Sequence, residues 1–189
     1  MKSFKRIFDF FFSIFLILSF FPLLIIISFL IKLESKGPII FKSLRVGKNN
    51  KDFYMFKFRT MKKGTKLIET KKIKNVEKKV TKIGKILRRL SLDELPQLFN
   101  VLKGEMSIVG PRPAIKSQKS LINKRSKLKI NQIKPGITGL AQINGRDSIS
   151  EKKKLYFDHL YYKKYDILFD IIILFKTVIS VIFNKDVSH

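Results

Sequence analysis

Residues 10–31 read FFFSIFLILSFFPLLIIISFLI, a run without one charged side chain. As a single helix it would be roughly 33 Å long at about 1.5 Å per residue, which matches the ~30 Å hydrocarbon core of a bilayer. Lys2, Lys5 and Arg6 precede it, as they would in a secretory signal. Against a signal, Asp9 interrupts the basic region, the run is long, and no small-x-small cleavage site follows. The sequence therefore predicts a retained membrane-anchoring helix over residues 1–33, broken at Pro22. That proline removes a backbone N–H, and its ring presses on the carbonyl of Leu18. Two geometries fit: a kinked spanning helix, or a re-entrant segment that enters and leaves by one face. Lys2, Lys5 and Arg6 flank one end and Lys32 and Lys36 the other. Only the re-entrant form keeps both basic flanks on the cytoplasmic side. Ser19 is placed to satisfy a carbonyl freed by the break.

The far end, residues 166–183, reads DILFDIIILFKTVISVIF. Asp170 and Lys176 make it a poor second span. It reads as an amphipathic interfacial helix in the headgroup plane or as an ordinary core helix. Between the two ends, residues 34–165 are expected to form one domain outside the membrane, and residues 166–189 the C-terminal helix and tail. The fold class expected is α+β, mostly helical with short strands. Residues 38–41 and 53–58 read as strands. Residues 83–90, 95–102 and 152–165 read as helices. Pro135-Gly136 and Asn144-Gly145 read as turns, the latter as a tight hairpin turn.

The chain has 189 residues, 40 of them Lys or Arg against 14 Asp or Glu, for a net charge of +26. Residues 32–165 hold 35 of the basic and 10 of the acidic residues, densest in Lys and Arg over residues 62–89. A charge of this size favours a polyanionic partner, and beside a membrane anchor the anionic lipid headgroups are preferred over nucleic acid. Disorder is excluded by a 45% hydrophobic content. The absence of Cys excludes disulfides, thiol nucleophiles and thiolate metal sites. With only His159 and His189, a zinc centre is disfavoured, which leaves a hard cation on carboxylates.

Chemistry concentrates in Ser91-Leu92-Asp93-Glu94. Ser91 and Glu94 have capping-box spacing. Pro96 fits equally a helix that starts near Leu95. Either way Asp93 and Glu94 stand at a helix N-terminus, where the dipole favours ionised carboxylates. An ionised Asp can attack phosphorus or hold a hard cation. Arg112, stiffened between Pro111 and Pro113, suits bidentate phosphate binding or a structural salt bridge. Lys57, Arg59 and Arg88 are further phosphate-binding candidates. Gly136, Gly139 and Gly145 read as turn formers first and as backbone for a diphosphate second. His159 reads as a structural residue or a base.

Three strings carry a resemblance: Lys57-Phe58-Arg59-Thr60-Met61, SLDELPQLFNVLKGEMSIVGPRP over residues 91–113, and KPGITGLAQINGR over residues 134–146. They resemble the bacterial sugar transferase family, the phosphoglycosyl transferases that load a sugar phosphate onto polyprenol phosphate. The likeness covers nearly the whole chain and matches the small monotopic form, closest to the diacetylbacillosamine-1-phosphate transferase type. The resemblance implies that Asp93 attacks the β-phosphate of a UDP-sugar, releases UMP, and passes the phosphosugar to undecaprenyl phosphate. It implies that Glu94 assists, with Mg²⁺ held by Asp93 or Glu94. It implies that Arg112, Arg88, Arg59 and Arg146 hold phosphates, beside the candidate Lys57, at the cytoplasmic face of the bacterial inner membrane. The chain departs from the family at Phe21, where Ser commonly precedes the membrane proline. It departs also at Asn50, where Gly is usual, and at Phe99 and Glu105, which replace Trp and Asp. The competing class is a non-enzymatic basic protein that docks on membrane or nucleic acid; it gives no account of the ordered SLDELPQ and GPRP strings.

Overall fold

Helix α1 (Lys2–Ser19) and helix α2 (Phe21–Glu34) meet at Phe20 with a bend of 63° in the computed structural model. The model describes residues 2–62, 64, 79–145 and 148–183. Pro22 falls in the first turn of α2, where its missing N–H loses no helical partner. The chain carries bonds across the break, from Phe20 N to Leu16 O at 2.9 Å and from Leu24 N to Phe20 O at 2.8 Å. Among the described residues no single helix is long and apolar enough to cross a membrane, and only this bent pair reaches that length and apolarity together.

The surface of α1 is inverted relative to a helix of a water-soluble protein. Lys5, Asp9 and Ser13, spaced four apart, are buried, while Phe4, Ile7, Phe11, Phe15 and Leu18 are more than half exposed. The side chain of Asp9 accepts from Ile108 N at 3.1 Å. Arg6 donates to Val101 O at 2.5 Å and Leu102 O at 2.8 Å. The C-terminal helix repeats this inversion. Its Asp170 and Ile173 are buried, whereas Leu168, Ile171, Ile172, Phe175 and Val178 are at least half exposed. Lys5 and Asp170 pair across the two helices. The exposed side of α2 (Phe21, Ile25, Ile26, Phe29 and Leu33) completes the apolar surface. Lys5, Arg6 and Asp9 thus tie α1 to the body of the protein, while Ser13 bonds back to Asp9 O within its own helix.

Between these helices lie two small sheets. Strands β1 (Ile40–Val46) and β2 (Asp52–Phe58) form an antiparallel hairpin with Ile40 opposite Phe58 and Val46 opposite Asp52. Its turn needs left-handed backbone at Asn49 and Asn50, with φ of 53° and 59°, a conformation Asn tolerates where other side chains strain. Helix α3 (Lys82–Arg89) is capped by Thr81, whose hydroxyl accepts from Gly84 N at 2.9 Å. Helix α4 (Gln97–Lys103) ends at the left-handed Gly104. Strand β3 (Ser107–Val109) follows, then α5 (Lys119–Lys127). Strand β4 (Gly136–Thr138) pairs with β3 in parallel, Ser107 beside Gly136 and Val109 beside Thr138. Helices α6 (Leu140–Ile143), α7 (Glu151–Lys164) and α8 (Ile167–Ile182) complete the chain.

The mostly helical architecture with short strands agrees with the sequence reading. Three local expectations change. Gly136 opens a strand rather than a turn, because its Cα packs on backbone: an added Cβ would lie 2.1 Å from Gly110 N. Asn144-Gly145 ends α6 and joins no hairpin. The first strand starts at Ile40 and runs on to Val46, later than residues 38–41. The basic stretch at 62–89 is described only at residues 62, 64 and 79–89, and the rest of it lies outside the described residues.

Two apolar clusters hold these parts. Phe53, Met55, Leu98, Val101, Met106, Ile108, Val109, Ile133, Tyr161 and Ile173 form the larger, with Phe12 and Leu16 of α1 packed on it. Ile27, Ile31, Phe58 and Leu87 form the other, and Leu92 and Leu95 pack against it. Asp93 and Glu94 sit between those two leucines, so the second cluster seats them directly.

Candidate active site

Asp93 and Glu94 occupy a single 3₁₀ turn, Leu92–Glu94, between α3 and α4. Ser91 ahead of it has φ 55°, and its side chain does not cap the turn, so the capping-box reading is corrected. The left-handed step at Ser91 reverses the chain after α3 and turns Leu92 and Leu95 into the apolar cluster. Helix α4 starts at Gln97 with Pro96 just before it, near the alternative start expected from Pro96. Both carboxylate residues are buried.

A buried pair of acids needs cations. Lys57 of β2 supplies one: its Nζ lies 2.8 Å from Glu94 Oε1 and 3.5 Å from Asp93 Oδ2. Arg112 supplies another, with Nη1 3.3 Å from the same Glu94 oxygen. Arg88, in the last turn of α3, donates from Nε to Thr60 Oγ1 at 2.9 Å. Burial pulls the Arg88 guanidinium below its ordinary range, and the charge of Asp93 partly restores it. The geometry divides the acids: Glu94 is bound between two cations, while Asp93 is reached by Lys57 at longer range and by the field of Arg88.

Arg59 goes elsewhere. Its guanidinium donates to Ser35 O at 2.6 Å, Ser35 Oγ at 2.9 Å, Lys36 O at 3.3 Å and Ile31 O at 3.4 Å. These contacts close the C-terminal end of α2, and the structure gives this residue a scaffold position rather than one facing Glu94. Arg146 lies outside the described residues. His159 stacks on Tyr162 with ring centroids 6.3 Å apart on α7. Gly139, like Gly136, is used for close packing, since a Cβ there would lie 2.1 Å from Gly110 O. These two glycines bring the 134–139 segment against the Gly110 loop that presents Arg112.

Asn100 is a residue that motif reading passed over. Fully buried on α4, it donates to Tyr54 O at 2.8 Å and Glu105 Oε2 at 2.7 Å, and accepts from Phe56 N at 2.9 Å. It fixes β2 to α4, and so sets Lys57 against Glu94. The sequence signal was an amide inside the apolar run QLFNVL, where burial demands partners.

Asp93 and Glu94 are adjacent carboxylates with no third His, Cys or acid completing a metal cluster among the described residues. That donor set fits Mg²⁺, which takes one or two carboxylates and fills its remaining positions with water and substrate phosphate.

Residues 1–184 match the family model described as bacterial sugar transferase. The chain is 36% identical over 197 residues to the exopolysaccharide production protein ExoY of Rhizobium meliloti, covering 96% of this chain and 86% of that protein. It is 41% identical over 194 residues to the UDP-glucose:undecaprenyl-phosphate glucose-1-phosphate transferase of Klebsiella pneumoniae, covering 96% of this chain and 41% of that one. It is 36% identical over 186 residues to the UDP-N-acetylgalactosamine-undecaprenyl-phosphate N-acetylgalactosaminephosphotransferase of Aeromonas hydrophila, covering 94% and 43%. The chain thus spans less than half of the last two.

Proposed function

The chain belongs to the bacterial sugar transferase family and is a transferase enzyme, and from that premise we propose that it moves a sugar-1-phosphate from a UDP-sugar to undecaprenyl phosphate. The observation that carries this reading is the buried Asp93–Glu94 pair ringed by Lys57, Arg112 and Arg88. Asp93 is the nucleophile. Its carboxylate oxygen bonds to the β-phosphorus of the UDP-sugar, and the bond from that phosphorus to the bridging oxygen breaks, so UMP leaves with the electron pair. An oxygen of undecaprenyl phosphate then bonds to the same phosphorus and breaks its bond to the Asp93 carboxylate oxygen, the acyl phosphate formed in the first step. The products are the diphosphate-linked sugar lipid and the free carboxylate. Two easier displacements replace one.

Glu94, shared by Lys57 and Arg112, holds these cations in place for the incoming phosphates. Arg112 and Lys57 can shift toward phosphate oxygens as charge builds on them. Arg88 counters charge at Asp93. Mg²⁺ bound at Asp93 or Glu94 would neutralise diphosphate charge.

On this reading the protein works at the cytoplasmic membrane, with the site on the cytoplasmic face, where a polyprenol phosphate acceptor would be met. The exposed apolar sides of α1, α2 and α8 support a position within the bilayer's edge, with α8 as an interfacial helix. Both ends of the bent pair are tied to the same body: Arg6 to Val101 O and Leu102 O, and Glu34 to the amides of Lys82 at 2.5 Å and Ile83 at 3.0 Å. That supports the re-entrant form over a span, a geometry in which the site would lie beside the polyprenol phosphate. Anionic headgroups would meet the basic surface.

The test is UMP release by detergent-solubilised protein with Mg²⁺, undecaprenyl phosphate and a panel of UDP-sugars. The wild type is expected to release UMP with at least one sugar, and Asp93→Asn with none. No release by folded wild type with any UDP-sugar would overturn the proposal.

A further inference from the structure

Arg112 stands on a loop, residues 110–113, whose start is held by β4, with Gly110 N donating to Thr138 O at 2.9 Å and Gly136 N to Pro111 O at 3.0 Å. Helices α7 and α5 add ties on either side of that anchor. Just before the loop, Tyr161 Oη stands 3.0 Å from Val109 O and 2.7 Å from Asp170 Oδ1, its one proton shared between the two acceptors. Within it, Arg112 O accepts from Arg125 Nη1 at 2.9 Å. Arg125 is itself clasped by one carboxylate oxygen of Asp158, with Nε at 3.0 Å and Nη2 at 2.6 Å. Asp158 and Tyr161 are three residues apart on α7, hence on one face, and both are almost wholly buried. One helix face therefore grips the loop at its entry and at the residue whose side chain meets Glu94 3.3 Å away.

We propose that Arg125, oriented by Asp158, is a positioning residue for Arg112, with Tyr161 fixing the loop's other end. This rests on reading Arg112 as a phosphate-holding residue. The chemistry of Arg125 suits the task. A planar guanidinium presents donors in a fixed fork, so two of them can bind Asp158 while a third is aimed at a carbonyl. A lysine has one ammonium on a flexible stem and can keep the charge pair without holding that carbonyl in a fixed direction. The buried carboxylate also cancels the charge of Arg125, so this second arginine does not compete for the substrate's phosphates. Burial holds the Asp158 carboxyl above its ordinary range, and Arg125 opposes that shift. A small displacement of a group that meets the reacting phosphate is costly, on the order of 10²-fold for about 1 Å.

The experiment is a double-mutant cycle on kcat/KM for UMP release, with Arg125→Lys and Arg112→Ala alone and combined, and with each variant's melting temperature recorded. Arg125→Lys is expected to lower kcat/KM by about tenfold or more in the wild-type background, and by less than about twofold once Arg112 is Ala. Asp158→Asn, which keeps an acceptor but loses the charge, repeats the cycle if Arg125→Lys melts much lower; a smaller loss with the same dependence on Arg112 is expected. Equal losses in both backgrounds would overturn the inference, because a merely structural residue acts alike with or without Arg112. So would wild-type kcat/KM in folded Arg125→Lys. If Arg112→Ala alone leaves kcat/KM intact, the phosphate-holding role of Arg112 fails first, and the inference falls with it.

Discussion

Lys5→Met removes the charge from one side of a buried ion pair. Lys5 and Asp170 join α1 to α8, with both side chains almost fully enclosed, and Tyr161 Oη donates to Asp170 Oδ1 at 2.7 Å. Methionine keeps an unbranched side chain of similar length, removes the ammonium that stands 5.6 Å over the Tyr165 ring, and leaves Asp170 without its cation. Breaking such a pair from one side costs about 3–5 kcal/mol. In a domain of this size each kcal/mol moves the melting temperature by roughly 2–4 °C, so a fall of about 6–20 °C is expected. Adding Asp170→Leu removes both charges and should recover most of the loss, since apolar replacement of a whole pair is about neutral. The pH dependence has a definite sign. Burial raises the Asp170 carboxyl above its ordinary value of 3.8, and Lys5 opposes that rise. A raised carboxyl is protonated in the folded state at pH values where the unfolded chain has lost the proton. Its contribution therefore falls as pH climbs from the unfolded value to the folded one. Without Lys5 the folded value rises further, so Lys5→Met should lie nearest the wild type in acid and furthest from it at neutral pH. Thermal unfolding followed by helical circular dichroism reads all three arms. A loss below about 1 kcal/mol, a double variant as unstable as Lys5→Met, or a gap that ignores pH would refute this reasoning.

Arg59→Met should lower the denaturant midpoint by the equivalent of about 2–4 kcal/mol, because carbonyls at the end of α2 lose a charged donor; a wild-type midpoint would contradict its scaffold position. Gly136→Ala should cost more than about 3 kcal/mol, since a methyl cannot share the space of the Gly110 amide, and thermal unfolding measures it. Asn100→Leu should cost about 2–3 kcal/mol in the same assay and lower the transfer rate as well, through Lys57.

The site's main parts were legible because they are contiguous motifs. Asp93 and Glu94 lie in one string and Arg112 in the same block, so residue type and order already placed them together. Lys57 reaches them from β2, and the aromatic alternation of residues 53–58 announced that strand. Arg59 stands apart from the Asp93–Glu94 pair, which the sequence did not signal. Alternation along a strand sends residues 57 and 59 to the same face, yet strand β2 ends at Phe58. Arg59 N still pairs with Ile39 O at 2.9 Å, and the guanidinium meets the carbonyls at the end of α2. The capping box failed similarly. Its spacing was right, but the left-handed backbone at Ser91 depends on how Leu92 and Leu95 enter the second cluster, a tertiary matter that local sequence does not carry. The inverted helices were half legible. Their apolar length stood out, whereas Lys5 looked like part of a basic flank and Asp9 like an interruption of it, and Ser13 drew no notice. Helical spacing alone put them on one face. Their partners, Ile108 N and Asp170, are 99 and 165 residues away.

The most direct test of the proposed chemistry is the intact mass of the protein after brief exposure to Mg²⁺ and an accepted UDP-sugar without undecaprenyl phosphate. The account predicts a protein heavier by one sugar phosphate, localised to Asp93, absent in Asp93→Asn, and discharged when the lipid phosphate is added. An Asp93→Asn protein that still transfers the sugar phosphate, or wild type that releases UMP with the modification on another residue, would contradict it.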